Sequence, residues 1–135
     1  MITVVEAARN NAEWCNSFCR SRSVEAAFTE YMWATEERPP PFYPDAVTLR
    51  AGVDPLDVVA RVQPGAGCSV KDSFADLELS AFGFDVLFTA EWLAGETIAS
   101  QDTPGWSPVT DEPGLREWSA AWGDSAAFQR SLPFC

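Results

Sequence analysis

The strongest secondary-structure signal in the chain is the stretch FDVLFTAEWL, residues 84–93. Its even-numbered residues are all apolar, and they alternate with a second set that contains Asp85, Thr89 and Glu91. A period of two residues is typical of a β-strand, because successive side chains of a strand point to opposite faces. Leu87 and Leu93 make the second face partly apolar as well. We therefore expect a largely buried strand at the centre of the sheet.

Apolar spacing along the rest of the chain predicts helices separated by loops. Residues three and four apart share one helical face. This spacing predicts helices at Thr3–Arg20, Val24–Trp33, Asp54–Val62 and Asp111–Trp122, the second with a weaker pattern. Asp54-Pro55 and Asp111 supply the N-caps of the last two. Residues 34–44 include three consecutive prolines, so an extended connector is expected there.

Shorter stretches complete the predicted fold. Ala46–Leu49 is expected to form a strand and Gly65–Asp72 a loop, while residues 74–79 fit either a helical turn or a strand. A polar loop is expected over Gly95–Gly105, and a partly helical tail over Ala126–Cys135. This order indicates a single domain, residues 1–135, of the α/β or α+β class, with a small mixed sheet flanked by helices. Because so few strands make a small sheet, we expect a second copy of the chain to complete it.

The composition excludes several kinds of function. The 135 residues contain no histidine, which is the usual general base and the commonest metal ligand. A Ser-His-Asp triad, a Cys-His dyad and histidine-based zinc or iron centres are therefore impossible within one copy. Net charge −11 disfavours nucleic acid and anionic membranes as partners, because both attract cationic surfaces. A homo-oligomer or another protein partner, preferably a basic one, remains compatible with this charge.

The first ten residues and the lack of a long apolar stretch lead us to expect a cytoplasmic protein. The first ten residues lack a basic segment followed by a long apolar run, and no stretch approaches about 20 apolar residues. The four cysteines are then expected to be reduced thiols. Cys15, Cys19, Cys68 and Cys135 match no zinc-ligand spacing. No metal and no cofactor is expected.

Cys68 is the candidate catalytic thiol. It follows Gly65 and Gly67, whose backbone amides could form an anion-binding nest, and it precedes Lys71, the only lysine in the chain. A nearby ammonium lowers the pKa of a thiol and favours the thiolate nucleophile. Without histidine, proton transfer would fall to Asp72, Asp76 or Lys71. The plainer interpretation is a small buried cysteine, with Lys71 paired to an aspartate at the surface.

The tryptophans divide into core and surface candidates. Trp14, Trp92, Trp118 and Trp122 fall on apolar faces and are expected in the core. Trp33 and Trp106 fall in loop-like settings, so they are candidates for a ligand-binding surface together with the Gly65–Lys71 loop.

Several stretches together resemble a known family. These are residues 11–15, Cys19-Arg20, Pro40–Leu49, Cys68–Leu77, Phe84–Trp92 and Leu115–Trp118. They resemble, in the same order, an uncharacterised actinobacterial family related to the GNAT-like acetyltransferases. The resemblance implies an α/β fold of the GNAT kind. GNAT enzymes bind the pyrophosphate of acetyl-CoA on an Arg/Gln-x-x-Gly-x-Gly/Ala loop, which this sequence lacks, and relatives continue beyond the position of Cys135. The resemblance thus implies the first half of the fold.

Missing histidine and a missing CoA loop together favour a non-catalytic role. The sequence predicts a GNAT-like half domain that acts as an interaction or assembly module and associates with itself. One alternative is a small cytosolic acyl- or thiol-group-handling enzyme, acetyltransferase-like, that uses Cys68. Another is a protein that binds a small molecule without chemistry.

Overall fold

The computed structural model describes residues 1–95 and 104–122. The chain divides into two compact units, residues 1–93 and 94–135. The first unit is a mixed α/β structure with a four-stranded sheet, whose strands lie side by side in the order β1 (Ala26–Phe28), β2 (Met32–Thr35), β3 (Ala46–Thr48) and β4 (Val70–Lys71). The small mixed sheet flanked by helices that the sequence predicts is therefore confirmed. None of the helices in the described ranges is both long enough and apolar enough to cross a membrane.

Helix α1 spans Val4–Ser21 and begins at a reciprocal cap. The Thr3 hydroxyl accepts a hydrogen bond from the Glu6 amide (3.2 Å), and the Glu6 carboxylate accepts one from the Thr3 amide (2.8 Å). The predicted helix is confirmed, but its buried face does not include the tryptophan that was expected in the core. The residues that face the sheet are Ala8, Ala12, Cys15 and Cys19. Trp14, expected in the core, is 54% exposed.

A β-hairpin replaces the helix predicted at Val24–Trp33. Strand β1 spans Ala26–Phe28 and pairs antiparallel with β2, Met32–Thr35. Thr29 closes the turn: its hydroxyl accepts from the Met32 amide (3.0 Å) and donates to the Met32 carbonyl (2.9 Å). This prediction was wrong because a threonine that bonds the backbone three residues on favours a turn over a helix.

Strand β3, Ala46–Thr48, confirms the short predicted strand and joins the hairpin to β4. It pairs antiparallel with β2 and parallel with β4, Val70–Lys71. The loop predicted over Gly65–Asp72 is therefore interrupted by two strand residues. They become a strand because a crossover through a short helix returns the chain beside β3.

Helix α2 spans Pro55–Val59 and provides that crossover. Asp54 caps it as predicted, accepting from the Leu56 amide at 2.9 Å. On this crossover Val58 and Val62 are buried, whereas Leu56 is 63% exposed.

The sheet has a core cluster on each side. The cluster that includes α2 residues is formed by Met32, Ala34, Ala46, Val53, Val58, Val62 and Leu79. The cluster that includes α1 residues is formed by Ala12, Cys15, Cys19, Trp33, Val47 and Leu49. Alternate residues of β2 and β3 belong to opposite clusters, as the two-residue period of a strand requires.

Residues 84–93 do not form the central strand that the sequence predicts. They follow a 3-10 turn, Ser80–Phe82, and run without helix, strand, turn or bend. Within the described residues, β1 and β4 are the edge strands, and no backbone of 84–93 pairs with either. The alternating pattern is real, but a strand also needs a neighbouring backbone to hydrogen bond. Residues 74–79 form neither a helix nor a strand.

The second unit contains α3, Glu112–Trp122, which the sequence predicts. The Asp111 carboxylate accepts a hydrogen bond from the Gly114 amide at 2.7 Å and caps the helix start. Most of the predicted Gly95–Gly105 loop and the whole predicted tail Ala126–Cys135 lie outside the described residues.

Candidate functional site

Cys68 lies directly after the glycine turn, partly buried at the α2 side of the sheet. The turn is closed by the Cys68 amide, which donates to the Gly65 carbonyl at 3.0 Å. Burial raises the pKa of the Cys68 thiol, and a hydrogen bond from the Arg38 guanidinium offsets part of that rise. The sequence predicts the opposite direction, with Lys71 as the cation. The thiol is therefore mostly protonated at neutral pH.

Arg38 also forms an ion pair with the buried carboxylate of Asp45. Its Nη1 lies 2.5 Å from Asp45 Oδ1, and the Asp45 side chain is only 4% exposed. The other oxygen, Oδ2, accepts from the Ser69 amide at 2.9 Å. Arg38 Nη2 also donates to the Gln63 carbonyl at 2.8 Å. Both oxygens of Asp45 are thus occupied, and the cluster holds the loop that carries Cys68.

Lys71 lies on the α1 side of the sheet, whereas Cys68 lies on the α2 side. Val70 packs with Cys68 against the α2-side cluster, whereas Lys71 interacts electrostatically with Cys15 of α1. Its ammonium lies 4.4 Å from the centre of the Trp92 ring. Burial lowers the pKa of Lys71, and among the described residues no carboxylate lies within ion-pair distance of it. The structure therefore separates the predicted thiol from its predicted cation.

Asp72 organises the loop that follows β4. Its Oδ1 accepts from the Phe74 amide (3.0 Å) and the Thr48 hydroxyl (3.3 Å), and its Oδ2 accepts from the Leu77 amide (2.9 Å). These bonds occupy both oxygens of the carboxylate, so the observed contacts of Asp72 stabilise the loop.

The predicted ligand-binding residues lie in very different settings. Gly65 (φ +145°) and Gly67 (φ +81°) are exposed and adopt backbone conformations that favour glycine, with open space around them. Trp33 belongs to β2 and is 0% exposed, and its indole donates to Asn16 of α1 at 3.1 Å. The prediction that Trp33 lies in a loop at the surface is therefore wrong. Trp106 is 84% exposed and belongs to the second unit.

A further feature of the first unit is a run of exposed apolar side chains in residues 84–93, which we call the exposed segment. Val86 is 86% exposed, Leu87 and Phe88 are each 80% exposed, and Leu93 is 90% exposed. Single exposed apolar residues are ordinary, but a contiguous apolar stretch marks an interaction site. The sequence shows this stretch clearly, but it does not show that residues 1–95 and 104–122 leave it exposed.

Both ends of the exposed segment are held to the fold. Phe84 packs against the α2-side cluster, and its amide donates to the Leu79 carbonyl at 3.4 Å. The Trp92 indole donates to the Ser73 carbonyl at 2.9 Å and covers Lys71. Between these anchors, the backbone forms no hydrogen bond with another described residue. The segment therefore presents free donors and acceptors at a fixed position.

The side chains that could bind a metal ion are scattered in the described ranges. Residues 1–95 and 104–122 contain no group of three or more His, Cys, Asp or Glu side chains placed to hold an ion. Cys15 and Cys19 are buried, and Cys68 lies partly buried with the opposite core cluster.

Comparison with protein-family models, with curated proteins and with solved structures gives no match.

Proposed function

We propose that this chain is a non-catalytic, GNAT-like interaction module of the cytoplasm that assembles with a second copy of itself. One observation carries the proposal: the exposed segment has the sequence of a buried strand and has no covering element among the described residues. The missing CoA loop of the sequence supports it, because a GNAT-like chain without that loop has no ready site for acetyl-CoA.

The energetic argument concerns the apolar side chains of the exposed segment. Burying a Val, Leu or Phe side chain is favourable by about 1.5–3 kcal/mol relative to leaving it in water. Val86, Leu87 and Phe88 each expose 80% or more of their surface. Their burial would offset several kcal/mol of the entropy that association costs. The backbone groups of the segment would gain partners in the same step.

The experiment is light scattering at micromolar concentration on the wild type and two variants. We expect a wild-type mass of twice 14.8 kDa. Phe88→Glu should raise the dimer Kd about tenfold or more, because it places a charge in an apolar contact. Phe42→Glu is the matched control, since Phe42 is equally aromatic, 96% exposed and outside the segment. A monomeric wild type, or equal effects of the two variants, would contradict the proposal.

A second candidate is a small acyl- or thiol-group-handling enzyme that uses Cys68. The observation in its favour is the hydrogen bond from Arg38 to the thiol, which stabilises a thiolate. Burial acts against it by raising the thiol pKa.

Iodoacetamide labelling shows whether the Arg38 hydrogen bond or burial has the larger effect on the reactivity of Cys68. In a Cys135→Ser background, we expect Cys68 to react slowly near neutral pH and faster as the pH rises toward its raised pKa, while the buried Cys15 and Cys19 react only on unfolding. Rapid, selective labelling of Cys68 at neutral pH would favour the enzyme. Native mass spectrometry of freshly purified protein tests the remaining alternative, a bound small molecule.

A further inference from the structure

We infer that Lys71, Ser73 and Asn11 form a binding site for a small hydroxycarboxylate, closed in this structure by the indole of Trp92. The inference does not depend on self-association, because all four residues belong to the first unit of one copy. It rests on three polar groups that lie between α1 and the end of β4 and that lack the partners such groups need.

Lys71 supplies the positive charge of the site. It is half-buried, and its ammonium lies 4.4 Å from the centre of the Trp92 ring. The chain contains 20 Asp and Glu residues, yet no carboxylate among the described residues lies within ion-pair distance of this ammonium. A cation withdrawn from water is unfavourable unless it is paired. The site therefore favours an anion.

Ser73 supplies a hydroxyl group without a partner. The residue is 6% exposed, and its Oγ is buried with no hydrogen bond among the described residues. Its backbone, in contrast, is fully used: the amide donates to the Thr48 hydroxyl at 2.8 Å, and the carbonyl accepts from the Trp92 indole at 2.9 Å. Most buried hydroxyls are hydrogen bonded, so an unpaired one close to a half-buried ammonium indicates a place for a ligand.

Trp92 shows that Lys71 and Ser73 lie close together. The face of its ring covers the Lys71 ammonium, while the N–H at the edge of the same ring bonds the Ser73 carbonyl. One side chain thus contacts both residues. The ammonium and the unpaired hydroxyl therefore belong to the same small area of the first unit.

Asn11 of α1 adds an acceptor on the facing element. It lies one helical turn before Cys15, the α1 residue that interacts electrostatically with Lys71. Residues four apart lie on the same face of a helix, so Asn11 and Cys15 both face the β4 side of the sheet. The Oδ1 atom of Asn11 is buried and has no hydrogen-bond partner among the described residues.

The three groups together define the class of ligand. An ammonium and a hydroxyl both donate, so Lys71 and Ser73 suit the two oxygens of one carboxylate. Asn11 Oδ1 accepts, so it suits a donor beside that carboxylate. A ligand ammonium there would bring a second positive charge near Lys71, whereas a hydroxyl brings none. The complementary ligand is therefore a small carboxylate that carries a hydroxyl group.

Trp92 acts as the lid of this site. It is 36% exposed and ends the stretch that begins at Phe84, over which the backbone forms no hydrogen bond with another described residue beyond the Phe84 anchor. Lifting the indole breaks its bond to the Ser73 carbonyl and its contact with Lys71. The carboxylate replaces these contacts, because it pairs with the ammonium and accepts from the Ser73 hydroxyl.

The single lysine of the chain makes the test direct. In protein prepared with isotope-labelled lysine, the side-chain NMR signal belongs to Lys71 alone. The signal is followed while glycolate, the smallest hydroxycarboxylate, is added. Acetate is the matched probe, since it has the same carboxylate and lacks the hydroxyl. Sodium chloride at equal ionic strength controls for screening.

We expect a saturable shift of the Lys71 signal with both probes, and a Kd several-fold lower for glycolate. Ser73→Ala should raise both Kd values about tenfold, because the carboxylate loses a charge-assisted hydrogen bond. This variant keeps the backbone carbonyl that holds Trp92. Asn11→Ala should remove the advantage of glycolate over acetate. Asn10→Ala, at an exposed position of the same helix, is the matched control and should leave that advantage unchanged.

A shift that never saturates and equals that of sodium chloride would overturn the site. Equal Kd values for glycolate and acetate in the wild type would overturn the class of ligand. Unchanged binding in a Ser73→Ala protein that circular dichroism shows to be folded would also overturn the inference. If Ser73→Ala does not fold, the comparison of Asn11→Ala with Asn10→Ala decides, and equal effects of these two count against the site. None of these outcomes bears on self-association, which light scattering tests separately.

Discussion

Asp45 joins three parts of the first unit through its backbone and its side chain. Its carboxylate binds Arg38 and the Ser69 amide, its own amide donates to the Ser69 carbonyl, and its carbonyl accepts from the Thr35 amide. Breaking a buried ion pair from one side leaves the remaining group poorly solvated, which costs more than the pair contributes. Asp45 is therefore the polar residue on which we expect the position of the Cys68 loop to depend.

Replacing Asp45 by Asn should lower the free energy of unfolding by about 2–4 kcal/mol, because the amide cannot serve Arg38 and Ser69 as the carboxylate does. Urea denaturation measures the change. Asp57→Asn is the control, since Asp57 is exposed on α2, and it should change stability by less than about 0.5 kcal/mol. Equal losses in the two variants would show that the Asp45 ion pair does not hold the fold.

Cys19 makes the stability depend on pH in the alkaline range. Burial, then the nearby Cys15 and Asp45, raise its pKa to about 11, from an ordinary value of 9.0. The folded chain therefore holds a proton that the unfolded chain releases between these values. Stability is fully present below pH 9.0 and is lost as the pH rises to about 11. The raised pKa of Cys15 acts in the same direction.

We expect this loss to reach about 2–3 kcal/mol, since one pKa unit corresponds to about 1.4 kcal/mol. Urea denaturation at a series of alkaline pH values measures the slope. Cys19→Ala should flatten it even if the substitution lowers stability at every pH. Ser17→Ala, at an exposed position of the same helix, should leave the slope unchanged. A slope that is the same in all three proteins would assign the pH dependence to other groups.

At the scale of elements, local signals predicted the helices well and the hairpin poorly. Asp54-Pro55 for α2 and Asp111 for α3 are caps that act within a few residues, so the sequence alone reveals them. Strands β1 and β2 have only three and four residues. A period of two cannot be recognised over so short a length, and Trp33 was therefore assigned to the wrong kind of element.

The candidate site also depends on contacts between residues far apart in sequence, which local sequence signals do not reveal. Cys68 was identified from its neighbours in sequence, but Arg38 and Asp45 were not, because they are brought to it by the parallel pairing of β3 with β4. The Asp45–Ser69 contact spans 24 residues. For the exposed segment, the sequence predicted a buried central strand, and both the strand and its burial were wrong, because each depends on a neighbouring element that local sequence does not reveal.

The helix–sheet contact through Trp33 gives a prediction at this scale. Trp33 is 0% exposed and bonds Asn16 of α1 at 3.1 Å. Trp33→Ala should cost about 3–5 kcal/mol of stability through the cavity that it leaves. Trp106→Ala removes a side chain of the same type that is 84% exposed, and it should cost less than about 0.5 kcal/mol. Chemical denaturation of both variants measures the difference, and comparable losses would contradict the buried position of Trp33.

At the scale of the whole molecule, charge and apolar surface act against each other. Two copies with net charge −11 repel, while the exposed segments attract through apolar contact, which salt does not weaken. Salt therefore separates self-association from binding to a basic protein. For a dimer of like-charged copies, added salt screens the repulsion and strengthens the contact, whereas for a basic partner it weakens the attraction.

We expect the dimer Kd to fall several-fold when sodium chloride is raised from low to physiological ionic strength, because the Debye length shortens from about 30 Å at 0.01 M to about 8 Å at 0.15 M. Analytical ultracentrifugation at a series of salt concentrations measures it. Phe88→Glu adds one charge per copy in the contact itself, so its Kd should depend more steeply on salt than that of Phe42→Glu, which carries the same added charge outside the exposed segment. A dimer that weakens with salt would mean that attraction between unlike charges, and not the apolar segment, holds the two copies together.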